Sequence, residues 1–235
     1  MNPLLTSFLS IRNESTEEQE YIAGLSDQFL QARDAGAYHL ALFAYHLLYI
    51  CIFYQTFHKI KIWFPEKHYM AVVSFDLDRR KKYREAINPT DYAYGKNHER
   101  SFFEFLNVIC DCEPLVKRCK ALVDYRNQRL GHVNYLLVSQ DAFDNQIAEY
   151  DDVISEIHKL THPRLATLFD EYEKSIDPSL ILTKDELETG LIGPNLLSER
   201  DLQWLSTEFA TRKSPMPIKV LDILRIDFGI DPLAV

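Results

Sequence analysis

The stretch DYRNQRLGHVNY, residues 124–135, places an arginine and a histidine close together along the chain, at Arg126 and His132. Histidine is the side chain that titrates near neutral pH, and the planar fork of arginine fits phosphate oxygens. Together they suit metal-free cleavage of a phosphodiester. The imidazole would deprotonate a ribose 2′-hydroxyl or protonate the leaving oxygen, and the guanidinium would stabilise the charge of the transition state.

The spacing between these two residues restricts how they can meet. On a straight helix Arg126 and His132 would lie about 120° apart around the axis and about 9 Å apart along it, so they would not share a face. Gly131 could bend the helix end and bring the imidazole around. A second copy of the helix across a two-fold axis could also gather two arginines and two histidines in one cleft.

Arg126 also interrupts an apolar pattern. One face of the helix expected after Pro114 carries apolar side chains at helical spacing, and position 126 falls among them: Leu115, Cys119, Leu122, Leu130, Val133 and Leu137. A guanidinium facing a core is unfavourable unless it is paired or partly hydrated. Arg126 therefore extends its charged end to solvent or pairs with a buried carboxylate, lies in a cleft between subunits, or binds an anion such as phosphate.

Helical periodicity dominates the chain. Ser15 and Glu18 form a capping-box pattern ahead of a helix that ends near Gly36, and Pro65 stops the apolar helix that follows. Further helices are expected at about 98–112, 114–130 and 142–174, the last broken or kinked at Pro163, and after a cap at Ser198.

These patterns predict an all-α fold. We expect a helical bundle over residues 1–177, with an insert at about 65–95 and a small C-terminal helical extension at 178–235. Within the insert, MAVVSF is compatible with either a short strand or a helical turn, and DLDRRKKYREAI predicts a basic helix.

Composition restricts the classes of partner. The chain has 235 residues, of which 46% are hydrophobic, and its net charge is −9. An acidic chain is not a general nucleic-acid binder, because phosphates repel it at long range. Contact with RNA would need a local basic patch. One candidate is the run Arg79, Arg80, Lys81, Lys82 and Arg84, which is equally compatible with a solvated helix face.

The apolar stretch 37–57 is long enough to span a membrane. It contains His39, His46 and several tyrosines, which a membrane span does not usually place through its middle. We therefore predict the buried central helix of a bundle and no membrane association. The first residues lack the basic and apolar regions of a secretory signal, so we expect a cytoplasmic protein.

No residue pattern predicts a metal or a cofactor. The four cysteines, Cys51, Cys110, Cys112 and Cys119, are expected to be reduced and buried, since no further close pair of ligands stands beside them. His39 and His46 lie two helical turns apart, too far to share one metal. His158 and His162 have a spacing that can bind a metal, but HKLTH lacks the glutamate of the H-E-x-x-H pattern.

The segment R-N-Q-R-L-G-H, Arg126 to His132, resembles the R-N-x4-H form of the R-x4–6-H motif of the HEPN superfamily. Tyr135 resembles the H-x-Y ending of HEPN toxins. The likeness covers about 20 residues by motif and roughly residues 1–175 by helical layout. It implies an all-helical bundle that dimerises so that two motifs build one site. Many members are metal-independent endoribonucleases of toxin–antitoxin, abortive-infection or CRISPR-linked defence systems.

The resemblance also implies roles for individual residues. Arg126 would hold or polarise the scissile phosphate, His132 would act as acid and base, and Asn127 would orient the histidine or the phosphate. The remaining candidates would contact substrate: Arg129 and Tyr135 at the cleft, and Lys117, Arg118 and Lys120 as further positive charge on the same helix. Tyr135 is equally compatible with packing, and Arg129 with a solvent-facing position.

The resemblance leads to two hypotheses for the function. A third interpretation is that the motif occurs by chance on an unrelated helical bundle. The first is a metal-independent endoribonuclease, a homodimeric toxin or defence effector with RNA as substrate and an antitoxin or defence protein as partner. The second is a non-catalytic HEPN-type module that binds a nucleotide or a partner protein and keeps Arg126 for structure or anion binding.

Overall fold

The computed structural model describes residues 4–11, 16–93, 99–109, 112–129, 138–176, 182–210 and 215–230. Helices dominate these ranges, and no β-strand occurs within them. The prediction of an all-α protein is therefore confirmed. The α-helices are α1 (Thr16–Asp34), α2 (Tyr38–Trp63), α3 (Pro65–Val73), α4 (Leu77–Glu85), α5 (Glu99–Phe102), α6 (Leu106–Ile109), α7 (Glu113–Arg129), α8 (Gln140–Lys159), α9 (His162–Ser175), α10 (Lys184–Leu187), α11 (Glu199–Ala210) and α12 (Pro215–Asp227). Short 3-10 helices occur at Leu4–Phe8, Pro89–Ala93 and Phe103–Phe105, and a π-helical segment at Glu188–Ile192.

Gly36 joins the first two long helices. Its φ of +71° lies in the left-handed region that favours glycine, directly after the end of α1. The amide of Gly36 donates to the carbonyl of Arg33 at 2.9 Å, and that of Ala37 to the carbonyl of Ala32 at 2.8 Å. These bonds satisfy the last carbonyls of α1 within a short connection, so that α2 begins at once and packs against α1. The predicted end near Gly36 is confirmed.

Helix α2 packs against α1, α3 and α7. Among the described helices it alone is long and apolar enough to cross a membrane, and 67% of its most apolar stretch is buried within the protein. Its buried side chains point in all directions around the axis, and they include Tyr45, Tyr49, Phe53 and Phe57. Such burial is typical of the central helix of a bundle.

The insert at 65–93 is helical and packs onto α2. Pro65 begins α3, and Asp76 caps α4 by accepting a hydrogen bond from the amide of Arg79 at 3.0 Å. Of the two structures predicted for MAVVSF, a short strand or a helical turn, the helical one is therefore correct. The ring of Phe57 in α2 contacts aromatic rings of this segment and of the helices after it: Phe75, Tyr83, Tyr92, Phe102 and Phe105.

The chain divides into two compact units. The first unit comprises Met1–Thr6 with Ser15–Ile157, and the second comprises Ser7–Glu14 with His158–Val235. In the second unit α9 and α12 pack against α11, and an isolated antiparallel bridge joins Ser10 to Ser198. This division differs from the predicted domains 1–177 and 178–235. The predicted boundary at 177/178 lies outside the described residues and stays a prediction.

Candidate functional site

Helix α7 buries the apolar face that was expected to carry Arg126. Leu115, Cys119 and Leu122 are almost fully buried, whereas the side chain of Arg126 keeps 20% of its surface exposed. The later positions of the pattern, from 130 onward, lie outside the described residues. Arg126 therefore stands where the buried face of α7 meets solvent.

The guanidinium of Arg126 pairs with a carboxylate. Its Nη2 donates to Oε2 of Glu99, the first residue of α5, and the Glu99 side chain is 23% exposed. The Nε of Arg126 is buried and has no acceptor among the described residues. Of the three explanations for an arginine on this face, pairing with a carboxylate is the one that the structure contains.

His46 and Tyr150 complete a polar group that we call the Arg126 cluster: Arg126, Glu99, His46 and Tyr150. His46 Nε2 lies 3.4 Å from Oε2 of Glu99, and its Nδ1 lies 2.8 Å from the hydroxyl of Tyr150. The His46 side chain is fully buried. The cluster thus joins α2, α5, α7 and α8 through side chains that are far apart along the chain.

The charges of the cluster follow from burial and pairing. Burial lowers the pKa of His46, although Glu99 opposes that shift, so the imidazole is neutral at pH 7. Burial by itself would raise the pKa of Glu99, but its hydrogen bonds and charge interactions with His46 and Arg126 outweigh that effect and lower it. Because His46 is neutral, we attribute the ionised state of Glu99 to Arg126. A charged ion pair therefore faces a neutral histidine.

A buried tyrosine of α2, Tyr45, packs beside Tyr150 of the cluster. Tyr45 donates to the carboxylate of Asp151, and its ring packs edge-on against that of Tyr150 at 5.7 Å between centroids. Burial raises the pKa of Tyr45, with Asp151 adding to the effect, and burial likewise raises that of Tyr150. Both phenols remain protonated near neutral pH, so each keeps a proton to donate.

The three basic residues earlier on α7 are each engaged in other ion pairs. Arg118 contacts three carboxylates of α8, those of Glu149 at 2.9 Å, Asp152 at 2.5 Å and Glu156 at 2.6 Å. Lys117 pairs with Glu113 at 2.8 Å, and Lys120 pairs with Glu104. Helical geometry puts Lys117 about 180° around α7 from Arg126. Each of the three charges is therefore already paired with a carboxylate, and their role in substrate binding stays a prediction.

The predicted residues after Arg126 are only partly described. Asn127 is exposed on α7, and Arg129 is the last residue of that helix, with a side chain outside the described part. His132 and Tyr135 lie outside the described residues, as does Gly131. The approach of His132 to Arg126, in one chain or between two, stays a prediction.

The basic run of the insert lies on α4 and its arginines contact nearby groups. Arg79 pairs with Asp76 at 2.9 Å, Arg80 donates to the carbonyls of Val73 and Phe75, and Arg84 lies over the ring of Tyr69 at 4.7 Å. Lys81 and Lys82 are exposed. The role of this run as a basic patch that guides RNA stays a prediction. The alternative, that the run is a solvated helix face, also stays a prediction.

Other candidate ligands are dispersed. The part of the chain that the structure describes contains no group of three or more His, Cys, Asp or Glu side chains arranged to hold a metal. Cys119 is a free, buried thiol, as expected, and Cys51 is free but only partly buried. Cys112 is disulfide-bonded, so the prediction of a reduced thiol is wrong there, and Cys110 lies outside the described residues.

Sequence reasoning found Arg126 but not its partner. Glu99 lies 27 positions earlier on another helix, and no local pattern links it to α7. Tyr150 belongs to the apolar face of α8, where a tyrosine is unremarkable. His46 had one signal, since a histidine inside a strongly apolar helix needs a polar partner.

Comparison with known proteins adds no family to this picture. No protein-family model matches the chain, and neither a curated protein nor a solved structure matches it. The HEPN likeness therefore rests on the motif at 126–132 and on the all-α architecture.

Proposed function

We propose that this protein is a metal-independent endoribonuclease of the HEPN type, and that its bundle has the HEPN fold. The observation that carries the proposal is the position of Arg126. It interrupts a buried helix face, its side chain is 20% exposed, and its buried Nε has no acceptor among the described residues. A guanidinium that is partly exposed at the edge of a core suits binding of a phosphate.

In this mechanism Arg126 binds the scissile phosphate and stabilises the charge that develops on it. His132 removes the proton of the ribose 2′-hydroxyl and returns a proton to the leaving oxygen, and Asn127 orients the imidazole or the phosphate. His46 is fully buried and neutral, so it acts on Glu99 and Tyr150 rather than on RNA. No step requires a metal or a cofactor.

Glu99 gives the proposal a requirement. An incoming phosphate must share the guanidinium with this carboxylate or displace it, because Glu99 already accepts a hydrogen bond from Nη2. The Glu99 side chain is partly exposed, and a partly exposed ion pair contributes little free energy, so exchange is feasible. The competition also weakens binding of arbitrary RNA, in keeping with a net charge of −9.

The same proposal places the protein in the cytoplasm as a toxin or defence effector. Two copies would form a homodimer in which two Arg126–His132 pairs share one cleft, since six residues on a straight helix do not bring one pair to a single face. An antitoxin or another defence protein would restrain the activity.

The first experiment is RNA cleavage in EDTA. Purified wild type is incubated with total RNA beside His132→Ala, with His39→Ala as the matched control because His39 is an exposed histidine on α2. We expect cleavage by wild type and by His39→Ala, and none by His132→Ala. Equal cleavage by all three proteins would show that another site or a contaminant is responsible.

The Arg126–Glu99 pair also favours the second function, a non-catalytic HEPN-type module. A guanidinium held by a carboxylate can serve structure or bind an anion without reaction. In that case no variant cleaves RNA, and wild type binds a nucleoside triphosphate or a partner protein in a manner that Arg126→Ala abolishes. Titration with ATP by calorimetry, beside Arg33→Ala as a control on a surface arginine, separates this outcome from the nuclease.

A further inference from the structure

A second polar cluster lies in the second unit, independent of the proposed nuclease function. His158 is close to the end of α8 and His162 is the first residue of α9, with a two-residue turn between the helices. Asp201 and Trp204 of α11 face them. We call His158, His162, Asp201 and Trp204 the His158 cluster.

The two imidazoles present nitrogens to each other. His162 Nε2 lies 3.3 Å from His158 Nδ1, which is long for a hydrogen bond. Two imidazole nitrogens that bind one tetrahedral metal ion, each at about 2.0–2.1 Å, are separated by about 3.3–3.4 Å. The observed separation therefore matches the spacing of two ligands around a single cation.

Asp201 prepares His158 for such a role. Its Oδ1 lies 2.9 Å from His158 Nε2, and its Oδ2 accepts from the amide and the hydroxyl of Ser198 at 2.7 and 2.8 Å. A carboxylate in this position keeps the proton of His158 on Nε2, so the lone pair of Nδ1 points to His162. Metal-binding histidines commonly have such a carboxylate behind them.

His162 is also suited to bind a cation. Its ring stacks on that of Trp204, with centroids 4.3 Å apart and planes 20° apart, which fixes its orientation. The His158 side chain is 15% exposed, so solvent reaches the pair.

We propose that His158 Nδ1 and His162 Nε2 form a site for a first-row transition-metal cation that prefers imidazole, such as Zn²⁺ or Ni²⁺. The cation takes the place of the proton between the rings, and neutral His162 then carries its proton on Nδ1. Because no third protein ligand is gathered among the described residues, water fills the remaining positions. Mg²⁺ and Ca²⁺ would not bind, since they require oxygen ligands.

Trp204 provides the signal for a direct test. Ni²⁺ alone is titrated into the purified protein while tryptophan fluorescence is followed, because a paramagnetic ion beside His162 quenches the stacked indole. We expect saturable quenching at sub-millimolar Ni²⁺ that Zn²⁺ competes away and EDTA reverses. The chain has one other tryptophan, Trp63, so Trp204→Phe tests which indole reports the binding, and it should remove the quenching.

Variants separate this site from adventitious binding. His158→Ala and His162→Ala should each raise the Kd for Ni²⁺ at least about tenfold, and His39→Ala should leave it unchanged. Circular dichroism checks that each variant folds. Asp201→Asn, which keeps the shape but weakens the support of His158, should raise the Kd less. Absence of saturable quenching, or equal quenching in the two histidine variants and in wild type, would overturn the proposal.

Discussion

The Arg126 cluster and the His158 cluster each set a carboxylate beside a histidine, but they differ in what the carboxylate does. Glu99 pairs with a permanently charged guanidinium, and its side chain is 23% exposed. Asp201 supports an imidazole from a side chain that is 1% exposed and accepts three hydrogen bonds. One carboxylate can exchange with a ligand, whereas the other is a fixed part of the scaffold.

That difference determines the kind of ligand that each cluster suits. An anion that approaches Arg126 competes with Glu99, so binding there depends on how easily the ion pair opens. A cation that approaches His158 and His162 meets two ring nitrogens that already lie 3.3 Å apart, and it replaces only the proton of one long hydrogen bond between them. The first cluster suits a phosphate and the second suits a transition metal.

The largest expected effect concerns catalysis. Arg126→Ala should lower RNA cleavage in EDTA by at least about 10²-fold, because the guanidinium is the group that stabilises the phosphate in the transition state. His158→Ala should leave cleavage unchanged. Initial rates on one RNA substrate make the comparison. Equal loss in the two variants would place the chemistry elsewhere or implicate misfolding, which circular dichroism would reveal.

The second effect concerns acid stability. Burial lowers the pKa of His58 and of His68 to about 4, and both contact the hydroxyl of Tyr92 in the first unit. The folded state therefore binds fewer protons than the unfolded state between about pH 6.5 and 4, so stability falls as the pH falls through that window. We expect a loss of about 1–2 kcal/mol per histidine, once solvent screening is allowed for.

Urea unfolding at a series of pH values measures this acid effect. The double variant His58→Gln with His68→Gln should lose most of the pH dependence, whereas His39→Gln should keep it, since His39 is exposed. A double variant with the full wild-type pH profile would contradict the assignment to these two histidines. The result would also show that another group governs acid stability.

A smaller effect concerns Glu99. Glu99→Gln should reduce the free energy of unfolding by about 1–2 kcal/mol, since it removes a partly exposed ion pair. It should also raise the affinity for inorganic phosphate, because the guanidinium loses its competitor. Glu113→Gln, which disrupts the exposed pair with Lys117, is the control and should change neither quantity. Unchanged phosphate affinity in Glu99→Gln would mean that Arg126 is purely structural.

The smallest expected effect concerns Ser198, which holds the Asp201 carboxylate by hydrogen bonds. Ser198 caps α11, since its hydroxyl accepts from the amide of Asp201 at 3.1 Å, which confirms the predicted cap. Ser198→Ala should reduce the free energy of unfolding by about 1 kcal/mol and raise the Kd for Ni²⁺ slightly. Ser155→Ala is the control, because among the described residues that hydroxyl donates to a carbonyl of the preceding turn in α8. No difference between the two variants would contradict the capping role.

Local sequence patterns determined much of the architecture. Gly36, Pro65 and Pro163 act through the backbone of their own neighbours, so the helix boundaries near them were predictable. The periodicity of α7 likewise made Arg126 recognisable as an exception. These features depend on residues within one or two helical turns of each other, and such interactions are readable along the chain.

Tertiary structure alone decided what the exceptional residues contact. Glu99 reaches Arg126, and Asp201 reaches His158, only because packing of apolar faces brings distant helices together. Hydrophobic burial is non-directional and selects which faces meet without specifying the polar atoms that meet at their edges. The sequence by itself therefore determined an all-α chain with an arginine that needed a partner, and the packed helices decided which partner it has.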